Sequence, residues 1–127
     1  MNKFIKTVPI SKIGYEFLRS LNGLLDLTDR ELELLSVFLD IQLDSNKLKG
    51  GKNISIDSAS NRKLVMSITS ITKDNLSRYI KTFRRKQIFI KDEYSNRTYI
   101  NKALIPIIIG NRVVQVTMIL KVNNDEI

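Results

Sequence analysis

The chain has 127 residues and a net charge of +8, with 43% hydrophobic residues and neither cysteine nor histidine. This size and composition predict one folded domain rather than a disordered chain, and they exclude disulfide bonds, thiolate catalysis and any site built on histidine. The longest apolar run, residues 103–109, is far shorter than the ~20 residues of a membrane span, and no signal peptide is recognisable, so we expect a cytoplasmic protein that does not enter a membrane.

The N-terminal part of the chain predicts two helices. The first spans residues 12–24, where apolar side chains recur at helical spacing. The second spans residues 29–43 and opens with a capping box, because the side chains of Thr28 and Glu31 can each satisfy a backbone N–H of the first turn. Apolar residues cover most of the circumference of this second helix, which predicts that it is buried at the centre of the domain.

A third helix is predicted after the polar loop of residues 45–53. Residues 54–56 alternate between apolar and polar side chains and predict a very short strand. The helix itself spans residues 59–70, with Asp57 or Ser58 as its N-cap. The side chains that we expect to face the core are Leu64, Val65 and Ile68.

The fourth predicted helix spans residues 73–86, and Thr72 can cap its first turn. Its apolar side chains form a narrow stripe of Leu76, Ile80 and Phe83. This pattern predicts a surface helix that buries one seam and leaves its other faces in solvent.

Two β-hairpins are predicted after the last helix. Residues 88–102 contain two strands around a polar turn at residues 92–96. Residues 104–122 contain two apolar strands around Gly110-Asn111, a pair that suits a two-residue type II′ turn. The second hairpin either extends the sheet over the core or docks a second copy or another protein, because apolar strands with free edges favour association.

Together these elements predict an α+β fold in a single domain, residues 1–127. Within it, we expect an N-terminal extension and helix over residues 1–26, a core over residues 27–102, and a C-terminal β-hairpin over residues 103–127.

The net charge is concentrated in one third of the chain. Residues 1–59 contain eight basic and eight acidic side chains, and residues 103–127 contain two of each. Residues 60–102 contain eleven basic and three acidic side chains, which account for the whole excess. A basic segment in an otherwise neutral chain predicts a surface that binds a polyanion such as nucleic acid.

Residues 27–102 resemble a winged helix-turn-helix domain of the kind found in phage and plasmid replication initiators and in bacterial transcription regulators. Four segments carry the resemblance, which are the capped helix opening 27–32, the short strand 54–56, the helix start 72–80 and the hairpin entry 86–90. The chain departs from the family at two positions. Gln87 stands where the family usually has glycine, and residues 67–70 lack the usual alanine and glycine.

The resemblance implies a sequence-specific protein that binds double-stranded DNA, either a transcription regulator or a replication-initiator-like factor, in the cytoplasm of a bacterial host cell. In such a protein helix 73–86 lies in the major groove and hairpin 88–102 acts as the wing. Because the N-terminal turns of this helix meet the base edges, the expected base contacts are Lys73, Asn75, Ser77 and Arg78.

Seven further basic side chains of the segment are expected to contact the DNA backbone. They are Arg62, Lys63, Lys81, Arg84, Arg85, Lys91 and Arg97. Exposed cations on a helix can also serve only to keep a protein soluble, and Arg97 can simply offset Asp92 and Glu93. The concentration of the whole net charge in this segment favours contact with nucleic acid.

The sequence contains no catalytic signature. It has no glycine-rich phosphate loop, no metal-ligand cluster and no nucleophile paired with a histidine base. We therefore expect neither enzymatic activity nor a cofactor or metal. The alternative function is a structural or interaction protein of a phage particle or larger assembly, in which a winged-helix-like body docks a homodimer mate or another protein through residues 104–122.

Overall fold

The computed structural model describes residues 5–47, 54–109, 113–114 and 121–122, which form an α+β fold. The helices of this described part are α1 (Ile13–Leu25), α2 (Asp29–Lys47), α3 (Ala59–Thr69) and α4 (Lys73–Arg85). Two antiparallel hairpins follow, which pair β1 (Phe89–Lys91) with β2 (Thr98–Ile100) and β3 (Ile108–Ile109) with β4 (Val113–Val114). No helix among these residues is long and apolar enough to span a membrane.

Side chains fix the turn between α1 and α2. The side-chain amide of Asn22 accepts a hydrogen bond from the Leu27 N–H at 2.9 Å and donates one to the Leu27 carbonyl at 3.0 Å. The predicted capping box is confirmed, because the Thr28 N–H donates to Glu31 Oε1 at 2.9 Å and the Glu31 N–H donates to Thr28 Oγ1 at 3.2 Å. These bonds satisfy backbone groups that would otherwise lack partners at the start of α2.

The core is built around α2, as its apolar circumference predicts. Leu34, Leu35, Phe38 and Leu39 of this helix are fully buried. The ring of Phe89, at the start of β1, meets Phe38 edge-on with ring centroids 5.2 Å apart. It also packs against Phe83 of α4 at 5.3 Å. This aromatic cluster ties the first hairpin to both α2 and α4.

A tight turn joins α3 to α4. Ser58 Oγ caps α3 by accepting from the Asn61 N–H at 3.3 Å. At the other end of the helix Ser70 adopts the left-handed conformation, with φ 60°. Thr72 then caps α4, since its Oγ1 accepts from the Asn75 N–H at 3.3 Å. The predicted starts of both helices, at residues 59 and 73, are therefore confirmed.

The predicted inward face of α3 is wrong for two of its three residues. Val65 is fully buried, but Leu64 is 46% exposed and Ile68 is 58% exposed. The half-buried side of the helix instead carries Arg62, Met66 and Thr69, and Met66 packs against the core. Arg62 Nε donates to the Asp57 carbonyl at 2.8 Å. Periodicity identifies an apolar face, but which side of a short helix is covered depends on how the helix packs against the rest of the fold.

Residues 54–56 do not form the predicted strand. They are held against β2 by two hydrogen bonds, from the Ile56 N–H to the Thr98 carbonyl at 2.8 Å and from the Thr98 N–H to Ser55 Oγ at 3.0 Å. One backbone bond and one side-chain bond are too few to make a strand. They nevertheless place the chain that enters α3 beside the first hairpin.

Two predicted boundaries are also wrong. Helix α2 continues to Lys47 rather than ending at residue 43, because the residues that follow are polar but remain compatible with a helix. Residues 102–104 form a 3₁₀ turn, capped by Asn101 Oδ1 accepting from the Ala103 N–H at 3.0 Å, so the second hairpin does not begin at residue 104. Its predicted turn at Gly110-Asn111 and most of its second strand lie outside the described residues.

Candidate nucleic-acid interface

Helix α4 presents a polar face opposite its buried seam. Leu76, Ile80 and Phe83 are buried, which confirms the predicted seam. An α-helix has about 3.6 residues per turn, so four residues of α4 point most directly away from this seam. They are Asp74, Arg78, Lys81 and Arg85, and all four are exposed. We call these four side chains the outward stripe; it contains an acidic residue that the sequence did not single out.

The four predicted base-contact residues are all exposed, but they do not share one face of α4. Asn75 and Arg84 are nine residues apart, which is about two and a half turns, so they lie on opposite flanks. Lys73 and Ser77 fall on the flank of Arg84. Asn75 falls on the other flank, and Arg78 belongs to the outward stripe, on the side of it that is nearer to Asn75. The helix therefore offers different chemistry on its two sides.

One flank of α4 borders a groove that separates the helix from the first hairpin. We call it the hairpin-side groove. Its basic lining residues are Arg84 and Lys91, and its lining also includes the polar residues Gln87 and Asn96. Gln87 adopts the left-handed conformation, with φ 63°. This backbone reversal turns the chain directly from the end of α4 into β1 and so sets the distance between the two walls.

Asp57 joins the cations of two helices at this groove. Its side chain is only 8% exposed, and its Oδ2 accepts a hydrogen bond from Arg84 Nη2. The same oxygen lies 3.9 Å from Arg62 Nη2. Two guanidinium groups and one carboxylate leave this cluster with one net positive charge. Arg62 and Arg84, predicted separately as backbone contacts, are therefore held together by a carboxylate that they share.

The other flank of α4 borders a groove against the start of α2. Its lining includes Arg30 from α2, with Thr72, Asn75, Arg78 and Thr82 from the cap and body of α4. We call it the α2-side groove. Sequence reasoning missed Arg30, because Asp29 and Glu31 beside it neutralise that stretch of the chain. The sequence feature that could have indicated Arg30 is its position in the first turn of a helix with a predicted cap.

The remaining predicted backbone contacts, Lys63, Lys91 and Arg97, do not lie on one surface. Lys63 is exposed on α3, and Lys91 lines the hairpin-side groove. Arg97 is half-buried and lines a different groove, which is bordered by Gln42 of α2. The structure therefore does not bring Arg97 together with Lys91 on the side of the hairpin that faces α4.

The turn of the first hairpin is organised by Asp92. Its Oδ2 accepts from the Ser95 hydroxyl at 2.7 Å and its Oδ1 accepts from the Tyr94 N–H at 3.2 Å. These hydrogen bonds, led by that of Ser95, lower the pKa of Asp92 below its ordinary value, and the charge of Arg97 lowers it further. The carboxylate thus holds the turn together, and Tyr94 stands fully exposed at its tip.

The outward stripe and the two grooves beside it make up the candidate interface. Its basic side chains come from α2, α4 and the first hairpin, and they are Arg30, Arg78, Lys81, Arg84, Arg85 and Lys91. The interface is defined by the sequence and geometry of the chain itself. No protein-family model, curated protein or solved structure matches the chain.

Proposed function

We propose that the protein is a sequence-specific DNA-binding protein with a winged helix-turn-helix core, which acts as a transcription regulator or a replication-initiator-like factor in the bacterial cytoplasm. The observation that carries the proposal is the exposed face of α4, where three of the four side chains of the outward stripe are basic. Cations flank the helix on both sides.

Three local features support the winged helix-turn-helix core. Helices α2, α3 and α4 and the first hairpin follow one another in the order of that fold. Ser70 and Gln87, which stand where the family favours glycine, have φ angles of 60° and 63°, a region that glycine adopts most easily. The Ile56 N–H donates to the Thr98 carbonyl, which lays the segment before α3 beside the hairpin, where the family has its short first strand.

The proposed reading of DNA follows from the side chains of α4. Arg78 can donate two hydrogen bonds to the N7 and O6 acceptors of guanine, and Asn75 can pair with adenine. Asp74, on the same stripe as Arg78, can accept from the amino group of cytosine. The first hairpin then serves as the wing, with Lys91 near a phosphate of the adjoining backbone. Lys73 and Ser77 complete the set of candidate base contacts.

Selection of bound sequences from a random duplex pool tests this reading. We expect the wild-type chain to enrich a shared motif, and Arg78→Ala to lose the preference at one base pair of it, at a cost of about 1–3 kcal/mol for the preferred base. Arg19→Ala is the matched control, because Arg19 lies on α1 and is 60% exposed; it should enrich the same motif as the wild type. A wild-type pool without a shared motif contradicts sequence-specific binding.

The second candidate is a structural or interaction protein of a phage particle or larger assembly. It is favoured by Ile54 and Ile107, which are 54% and 74% exposed. Both line a groove between α2, the first hairpin and the segment that leads into the second hairpin, beside Tyr99 and Ile105. An apolar surface of this kind suits a protein partner. Stable association with itself or another protein, together with no shift of duplex DNA, would support this candidate over the first.

A further inference from the structure

The α2-side groove holds a basic side chain from outside the basic segment. Arg30 is held in place at both ends of its guanidinium group, because Nη1 donates to Glu33 Oε1 at 2.9 Å and Nη2 donates to the Thr69 carbonyl at 3.2 Å. These bonds use two of the five N–H donors of the group. The side chain remains 36% exposed, so donors are open to the groove that Arg78 also lines.

Arg84 occupies the corresponding position on the opposite flank of α4. Its guanidinium is held by the buried carboxylate of Asp57, and its side chain remains 52% exposed beside Lys91 of the hairpin. Arg30 and Arg84 thus share three properties. Each is oriented by a fixed acceptor, each is partly open to solvent, and each lines a groove that runs beside α4.

The dimensions of DNA indicate what one fixed arginine beside each flank of α4 can contact. A helix with its side chains is about 10–12 Å across, and the major groove is about 12 Å wide. A helix that fills the groove therefore has one phosphate backbone on each of its flanks, and these two backbones belong to opposite strands. Side chains that are fixed on the two flanks of α4 face different strands.

We propose that α4 is clamped in the major groove from both sides, with Arg30 binding a phosphate of one strand and Arg84 binding a phosphate of the other. This proposal rests on the proposed DNA-binding function. It extends the interface beyond residues 60–102 to the first turn of α2. It also assigns Arg30 a role in binding, whereas the balanced charge of residues 1–59 points to none.

Salt-titrated binding to a labelled 20-base-pair duplex of random sequence tests the part of Arg30. We expect Arg30→Gln and Arg84→Gln each to weaken binding about three- to ten-fold at 0.15 M salt. Each should also reduce the steepness of the negative slope of log affinity against log salt by about 0.9, because each removes one phosphate contact. Arg30→Lys keeps the charge and should retain the slope. Arg19→Gln removes a charge from α1 and should change neither quantity.

The outcomes separate this proposal from the proposed function. Wild-type binding that Arg30→Gln and Arg19→Gln leave equally unchanged overturns the clamp alone, whereas a wild-type chain that binds no duplex overturns both. Thermal unfolding of each variant shows whether it is folded, and Arg30→Met, which also removes the charge, replaces Arg30→Gln should that variant unfold. A loss of slope in Arg30→Lys as large as that in Arg30→Gln would also overturn the clamp.

The assignment to two strands has its own test on a selected binding site. Methylphosphonate groups remove single phosphate charges, so they can be scanned along each strand in turn. We expect that, on a duplex modified at one particular position of one strand, Arg30→Gln causes no further loss of affinity. For Arg84→Gln, the position at which the substitution causes no further loss of affinity should lie on the other strand. If these positions lie on the same strand for both variants, the two-sided clamp is overturned.

Discussion

Asp57 brings together two arginines that come from different helices. Its carboxylate is buried and contacts arginines from α3 and α4, and its backbone carbonyl accepts from Arg62 Nε at 2.8 Å. The sequence identifies both arginines as basic residues in a basic segment. It cannot show that they share a carboxylate, because Asp57 and Arg84 are brought together only when α3 packs against α4.

Replacing Asp57 tests how much this cluster stabilises the fold. We expect Asp57→Asn to lower the free energy of unfolding by about 1–2 kcal/mol, because the charge-assisted hydrogen bond from Arg84 and the ion pair with Arg62 are lost. The cost stays below that of breaking a fully buried pair, since both arginines remain partly exposed and can be hydrated. Urea unfolding measures the change. Glu93→Gln, at an exposed position of the hairpin turn, is the control and should change stability by less than about 0.5 kcal/mol. Equal stabilities of Asp57→Asn and the wild type would contradict this account.

Helix starts are the elements that the sequence predicts best. Capping residues act within one turn of the chain, so Thr28 and Thr72 could be assigned without knowledge of the tertiary structure, and the cap of α3 could be narrowed to Asp57 or Ser58, of which the structure uses Ser58. The inward face of α3 could not. Leu64 and Ile68 are apolar at helical spacing but exposed, because the orientation of a short helix depends on contacts with α2, α4 and the segment before it.

The reversal between α4 and β1 makes a second prediction at the scale of the element. Gln87 has a left-handed backbone, which costs a non-glycine residue about 1 kcal/mol or more. We expect Gln87→Gly to raise the free energy of unfolding by about 0.5 kcal/mol, since part of the relief is offset by the greater freedom of glycine in the unfolded chain.

Gln87→Val provides the contrast at the same position. A β-branched side chain is the least compatible with positive φ, so this variant should lose at least about 1 kcal/mol in the same urea unfolding measurement. A Gln87→Gly variant less stable than the wild type, or a Gln87→Val variant equal to it, would show that the reversal is not strained in this way.

Across the whole molecule, the distribution of charge locates the candidate interface only in part. The basic segment identifies α4 and the first hairpin, and the structure exposes most of its cations on them. It does not predict that Lys86 Nζ donates to the Asp26 carbonyl at 3.0 Å, away from the face of α4. Nor does it predict that Arg30 joins the interface from a neutral stretch. Both depend on how distant parts of the chain pack together.

The alternative function also belongs to the scale of the whole molecule. The segment that joins the two hairpins carries Ile107 in solvent and Ile105 partly against the core. The proposed DNA surface on α4 and the apolar groove bordering α2 are lined by different residues. The two proposed functions are therefore compatible with each other in one chain.

The salt dependence of duplex binding tests the proposed interface most directly. The wild-type chain is titrated with a labelled random-sequence duplex between 50 and 200 mM salt, conditions over which contacts to phosphate weaken steeply. If about six phosphates are neutralised by the side chains around α4, log affinity should fall against log salt with a slope near −5. An affinity that does not change with salt, or no binding at the lowest salt concentration, would contradict the assignment of this surface to DNA.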